Sequence, residues 1–132
     1  MSAHRLPRSE RLRGRKAFQL LFHSSHRWNY GYLHLYALPF LIRVEGPPLR
    51  VAFSIPKKLV RKASRRNFIR RRLREAYRAE KSYFLERLPV GQAWLYWQWR
   101  DRNPPPIASL RLYMRALYEN FIHLCSATFS SD

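Results

Sequence analysis

The chain has 132 residues, 46% of them hydrophobic, which is the length of one domain with enough apolar side chain to bury a real core. Twenty-six Lys and Arg against eight Asp and Glu leave a net charge of +18, far beyond what solubility asks of a small domain, and this points to a polyanionic partner. The lone Cys125 excludes an internal disulfide, no apolar run reaches the length of a membrane span, and the basic N-terminus has no signal-peptide core, so a cytoplasmic protein is expected.

Residues 1–13, with Pro7 and alternating charges, read as an extended N-terminal arm. From about Gly14, Phe18, Leu21 and Phe22 fall at i, i+3 and i+4, the spacing of a helix, and plain core packing competes with any binding role for the two phenylalanines. Residues 24–31, SSHRWNYG, read as a loop. Tyr32 to Leu38 then alternates, with Leu33, Leu35 and Ala37 on one face and Tyr32, His34 and Tyr36 on the other, which is the period of a strand. After the turn material Glu45-Gly46-Pro47-Pro48, Leu49 to Ile55 alternates again: Leu49, Val51, Phe53 and Ile55 inward, Arg50, Ala52 and Ser54 outward. These two strands are expected to pair antiparallel.

Pro56 ends the second strand and delivers the chain to KKLVRKASRRNFIRRRLR, residues 57–74, in which ten of eighteen residues are Lys or Arg and none is acidic. Blocks of like charge are usually disordered. Here Ile69, Leu73, Ala76 and Tyr77 recur at i, i+4, i+7 and i+8, the buried stripe of an amphipathic helix beginning near Ser64 as N-cap and ending between Glu80 and Glu86. At 3.6 residues per turn, Arg66, Asn67, Arg70, Arg71, Arg74 and Arg78 share an arc of roughly 140° beside that stripe. Packing Ile69 and Leu73 therefore holds a row of guanidinium groups, whose paired planar donors suit phosphate oxygens, on a rigid platform.

Gln92 to Trp99, QAWLYWQW, is apolar on both parities, as expected of a central strand covered on two sides. Three consecutive prolines follow. Leu110, Tyr113, Met114, Leu117, Phe121 and Leu124 then keep helical spacing, with Cys125 read as a buried helix residue and residues 126–132 as a mobile polar tail. The order helix, strand, strand, helix, strand, helix makes a single α/β sandwich over residues 1–132. The letters leave open whether the strands flanking the basic helix run parallel.

Catalytic chemistry is missing from this inventory. The acids Glu10, Glu45, Glu75, Glu80, Glu86, Asp101, Glu119 and Asp132 are scattered, and Glu75, Glu80 and Glu86 are placed on a surface dominated by arginine, which would repel a divalent cation. His4, His23, His26, His34 and His123 have no supporting cysteine or carboxylate cluster, and no P-loop, GxGxxG, GxSxG or CxxC is present. The protein is read as one that binds and positions.

The stretches LPRSERLRGRKAFQLLF, LHLYAL, LRVAFSIPKK and RRNFIRRRLREAYR, in this order and at these spacings, resemble the protein subunit of bacterial ribonuclease P over residues 6–80. The resemblance implies an α/β sandwich with a left-handed crossover through the basic helix, and a partner that is a large catalytic RNA, with one protein per RNA. It further implies an endoribonuclease in which that RNA, with Mg2+, removes the 5′ leader of precursor tRNA, while the protein supplies no catalytic residue and binds no cofactor or metal of its own. Position by position, Arg66, Asn67, Arg70, Arg71 and Arg74 would face the catalytic RNA near its active centre, with Lys57 and Lys58 as a basic pair after the second strand. Phe18, Phe22, Tyr36 and Ser54 would form the cleft that receives the single-stranded leader, where aromatic rings can stack on bases. The departures are Phe68, where the motif usually has another arginine, Pro56 in place of a small polar residue, and LVRKAS, a loop one residue longer than usual that lacks its glycine.

The rival reading is a ribosomal-type RNA-binding or assembly protein, which shares the charge and fold type but gives no reason for an aromatic cleft. Two others are weaker. A helix in a DNA major groove lacks its companion helix at short turn spacing, and an anionic membrane calls for a large exposed aromatic face beside the arginines.

Overall fold

The computed structural model describes residues 6–41 and 45–129; the first five residues of the expected arm and residues 130–132 of the expected tail lie outside the described residues. Strand alternation decides which side chains meet. Leu33, Leu35 and Ala37 of β2 (Leu33–Phe40), Leu49 and Val51 of β3 (Leu49–Ser54), and Ala93, Leu95 and Trp97 of β4 (Gln92–Trp99) share one face of a four-stranded sheet. There they form the main core with α2 (Ala63–Glu86) and α3 (Ile107–Phe129). Leu38 and Tyr96, of the opposite parity, join Leu21 of α1 (Arg15–Ser24) in a smaller cluster. The expected α/β sandwich is what forms, with α1 laid over part of the sheet's second face.

Two expectations about the sheet are overturned. Residues 26–30, read as part of a loop, form β1 (His26–Tyr30), an edge strand antiparallel to β2 with Trp28 opposite Leu35. Only Trp28 of β1 is even half-buried, so little apolar alternation marks the strand; its backbone ladder to β2 and the packing of Trp28 on Phe121 and Tyr30 on Tyr113 of α3 hold it. Gly31, at φ 58°, closes the hairpin in the left-handed region that residues with a β-carbon avoid.

The antiparallel pairing of β2 with β3 does not occur either. The sheet order is β1-β2-β4-β3, so β4 lies between them, antiparallel to β2 and parallel to β3. Only β4 is apolar on both parities, and burial on both faces is what a central position demands. α2 is thereby the crossover between two parallel neighbours.

The arm is docked from Leu6 onward rather than extended. Leu6 and Leu12 are buried, Arg8–Glu10 forms a single 3-10 turn, and the Leu12 N–H donates to the Val51 carbonyl at 2.8 Å, covering part of the open edge of β3. At the other end α3 continues to Phe129, past the point at which the tail was expected to begin.

Ile69, Leu73, Ala76 and Tyr77 are fully buried, as the stripe requires, and they fix the rotation of α2 about its axis. Ser64 does not cap the helix. Lys62 occupies the N-cap with no side-chain bond, and the Arg66 guanidinium turns back instead, its Nη1 donating to the carbonyls of Val60 at 2.9 Å and Arg61 at 2.8 Å. Glu80, placed by sequence on the arginine surface, is 1% exposed because it continues the buried stripe at i+11, i+7, i+4 and i+3 from those four residues. Arg111 Nε of α3 donates to it at 2.5 Å and Arg115 Nε to its second oxygen. Burial opposes its charge, but the hydrogen bonds from Arg115 and Arg111 outweigh that and hold the carboxyl below the usual glutamate value.

Candidate nucleic-acid interface

The exposed side of α2 carries the arginine row, and each member is positioned differently. Arg66 is stapled to the loop before the helix, as above. Arg70 Nε donates to the Phe53 carbonyl at 3.4 Å and its Nη1 to Asn67 Oδ1 at 2.7 Å, so Asn67 orients a cation. Arg71 is exposed. Arg74 is half-buried, and burial first, then Arg11, Arg71 and Arg70, lower the pKa of its guanidinium. Its Nε and the Nη1 of Arg78 are buried without a hydrogen-bond partner. Arg11, Arg70 and Arg71 all act on Arg74, with Glu75 opposing them, and this concentration of positive charge suits an anionic partner.

The arm extends this surface. Arg8, Ser9, Arg11, Arg13 and Arg50 line a cavity of about 470 Å3. Beside Arg50, Gly46 adopts a φ of 118°, which disfavours any side chain there.

On the second face of the sheet the strand register builds an aromatic patch. Tyr36 of β2 is opposite Tyr96 of β4, with ring centroids 5.3 Å apart. Phe22 of α1 leans over both, at 5.7 Å from Tyr36 and 5.1 Å from Tyr96, and Phe18 lies 5.9 Å from Tyr96 and 6.1 Å from Phe22. Phe22 is 53% exposed while Phe18 is half-buried, so the first offers its ring to solvent and the second supports it. Ser54, two residues past the register partner of Tyr96, stands on the same sheet face, and the Tyr96 hydroxyl pKa is raised chiefly by burial. Phe18, Phe22, Tyr36 and Ser54 are thus brought together, around a residue that the sequence reading did not single out.

Two more cations rim the patch. Arg27 of β1 lies opposite Tyr36 in the register, donates to its hydroxyl at 3.2 Å and has its guanidinium carbon 5.4 Å from the ring centroid. Arg100, just past β4, donates to the same hydroxyl at 3.4 Å and to Gln98 Oε1 at 2.6 Å. Between them the His34 imidazole is pushed below its ordinary pKa by burial, then by Arg100 and Arg27.

The patch and the arginine row meet. Phe53, whose carbonyl holds Arg70, precedes Ser54, and Ser54 shares the sheet face of Tyr96, so a path runs from α2 across the end of β3 onto the rings. Lys57 and Lys58 are exposed in the turn after β3. Lys58 lines a separate cavity of about 430 Å3 with Leu59, Val60, Arg61, Lys62, Arg65 and Arg102, so it stands apart from the guanidinium groups of the row. Among the described residues, no three His, Cys, Asp or Glu side chains group as a metal site would require.

Tyr96, Arg27, Arg100 and Arg11 join this surface without having been expected. The signal for Tyr96 is the even parity of β4, in which Trp94, Tyr96 and Gln98 alternate with the main-core residues. The arginines carry none, because pairing partners in space place them.

A family model for ribonuclease P matches residues 6–92. The chain is 34% identical over 127 residues to a ribonuclease P protein component from Chlorobaculum tepidum, an alignment covering 89% of this chain and 82% of the relative. It is 39% identical over 88 residues to a ribonuclease P protein component from Geobacter sp. strain M21, covering 64% of this chain and 69% of that one. In three dimensions it is similar to the RNase P protein of Staphylococcus aureus, with a TM-score of 0.63 at 19% identity over 83% of this chain and 93% of that one, a likeness of fold.

Proposed function

The chain belongs to the ribonuclease P protein family, and we propose, from that premise, how its two contiguous surfaces divide the work of binding. Membership makes it the RNA-binding protein component of an endoribonuclease of tRNA processing, with the ribonuclease P RNA as its partner. The arginine row, Arg66, Asn67, Arg70, Arg71 and Arg74, together with the Lys57–Lys58 pair, contacts phosphates of that RNA. The aromatic patch of Phe22, Tyr36 and Tyr96, supported by Phe18 and Ser54, receives the unpaired 5′ leader of precursor tRNA. The single observation that supports this most is their continuity: Arg70 is bonded to the backbone of β3 at Phe53, one residue before Ser54, which shares the sheet face of Tyr96. A strand leaving the RNA surface meets rings at once.

The protein's part is then positioning, and the hydrolysis, with Mg2+ bound through the RNA, belongs to the partner. One protein per RNA and a cytoplasmic location complete the reading; no helix among the described residues is long and apolar enough to cross a membrane. The test compares precursor and mature tRNA binding to the reconstituted protein–RNA complex. Precursor should bind more tightly, and Phe22→Ala should remove much of that preference, since stacking is worth roughly 1–3 kcal/mol per base. Equal affinity of the unaltered complex for both tRNAs would overturn the leader assignment.

A further inference from the structure

The opposite flank of α2 carries a second cationic surface that the reading above leaves unused. Arg65, Phe68 and Arg72, at i, i+3 and i+7, share one helix face. Phe68 and Arg70 are two residues apart, about 160° around the axis, so this face looks away from the arginine row. The Phe68 ring is 41% exposed, with the Arg72 guanidinium carbon 5.1 Å from its centroid. Backbone carbonyls hold the flanking arginines in place: Arg65 Nε donates to Arg102 at 3.2 Å and Arg72 Nη1 to Pro105 at 3.2 Å. Each bond uses one of a guanidinium's five donors and leaves others for a ligand.

Next to this face is the cavity of about 430 Å3, lined by Leu59 and Val60 together with the basic residues Lys58, Arg61, Lys62, Arg65 and Arg102, with no carboxylate among them. These come from the loop before α2, its first turn, and the loop after β4. A scattered exposed phenylalanine would need no explanation. One held beside a fixed guanidinium and a cavity bordered by five basic residues is a stacking platform with cations in reach of a phosphate, the pairing by which proteins hold unpaired nucleotides.

We propose that Phe68, Arg65 and Arg72 with the adjoining cavity form a second RNA contact that takes an unpaired nucleotide of the ribonuclease P RNA, its base on Phe68 and its phosphate among the cations. A duplex is disfavoured because its bases have no free face for the ring. The tRNA leader is disfavoured because the cleft lies on the other flank. The partner's identity rests on the family reading; the site itself does not depend on the leader cleft.

Two measurements on the full-length protein in complex with the RNA and precursor tRNA test it. A benzophenone photo-crosslinker in place of Phe68 should capture an unpaired segment of the ribonuclease P RNA, while the same group in place of Phe22 should capture the leader. Capture of the leader or of paired RNA from position 68, or of nothing while position 22 reacts, would overturn the proposal. If position 22 fails and position 68 still captures unpaired RNA, the leader cleft falls and this site stands. Phe68→Leu should weaken RNA affinity roughly tenfold, Phe68→Trp should retain it, and both should melt with the parent. Equal affinity of Phe68→Leu and the parent would also overturn it.

Discussion

Arg66 and Arg70 are one helical turn apart, yet their side chains do different things, and the difference is measurable. Arg70 and Arg74 stand in one row with Arg71, so Arg70→Ala and Arg74→Ala should each flatten the dependence of log affinity for duplex RNA on log salt by about 0.9, the value of one phosphate contact. Arg66 spends two bonds on the carbonyls of Val60 and Arg61. Arg66→Ala should therefore change the slope less and open residues 57–62 to proteolysis, which limited digestion reports. The aromatic residues separate in the same way. Phe22→Ala, at a half-exposed ring, should lower precursor preference with little change in thermal stability. Tyr96→Ala, at a ring 9% exposed and touching three others, should lower both, by about 3 kcal/mol in stability. The arginines of α2 were legible because helical period alone assigns them a side. Tyr96 was hidden in a strand that reads as uniformly buried, and Arg27 and Arg100 converge on one hydroxyl from opposite ends of the sequence.

At the scale of elements, the junction of α2 with α3 rests on a carboxylate that replaces an apolar residue in the stripe. Glu80 between Arg111 and Arg115 is joined at the same interface by the Tyr118 hydroxyl, which donates to the Phe84 carbonyl at 2.7 Å, and by Glu119, which accepts from the Tyr83 hydroxyl and pairs with Arg87 at 3.0 Å. Glu80→Gln should cost about 2 kcal/mol at neutral pH, near the middle of the range for charge-assisted bonds because the arginine ends are half in solvent. Its folded-state pKa is depressed, so the stabilisation is complete above the unfolded value of about 4.3 and is lost as pH falls through the lower folded value. Urea midpoints of parent and variant should therefore differ at pH 7 and converge only as the pH falls through the depressed folded-state value. The elements easiest to read were those with one wet face, since alternation or a 3.6-residue stripe records it. β1 is hard to read because an edge strand with only one half-buried residue records little apolar pattern, and β2 and β3 do not pair because nearness in sequence is a poor guide once a crossover helix intervenes.

For the molecule as a whole, a net charge of +18 on 132 residues is tolerable in isolation and useful in a complex. The reconstituted complex should cleave precursor tRNA at lower Mg2+ than the RNA alone, and the purified protein should cleave none; cleavage by protein carrying no RNA would contradict the division of labour. Family membership also separates this chain from the ribosomal-type alternative that charge and fold class left standing. From its letters alone the chain revealed its charge, its buried stripes, its main helices and the strand destined for the centre, because each is a local consequence of period and polarity. Strand order, the docking of the arm, the burial of Glu80 and the meeting of arginines with aromatic rings were decided only in three dimensions. They depend on which surfaces must be buried together, and no local pattern records a partner that is distant along the chain.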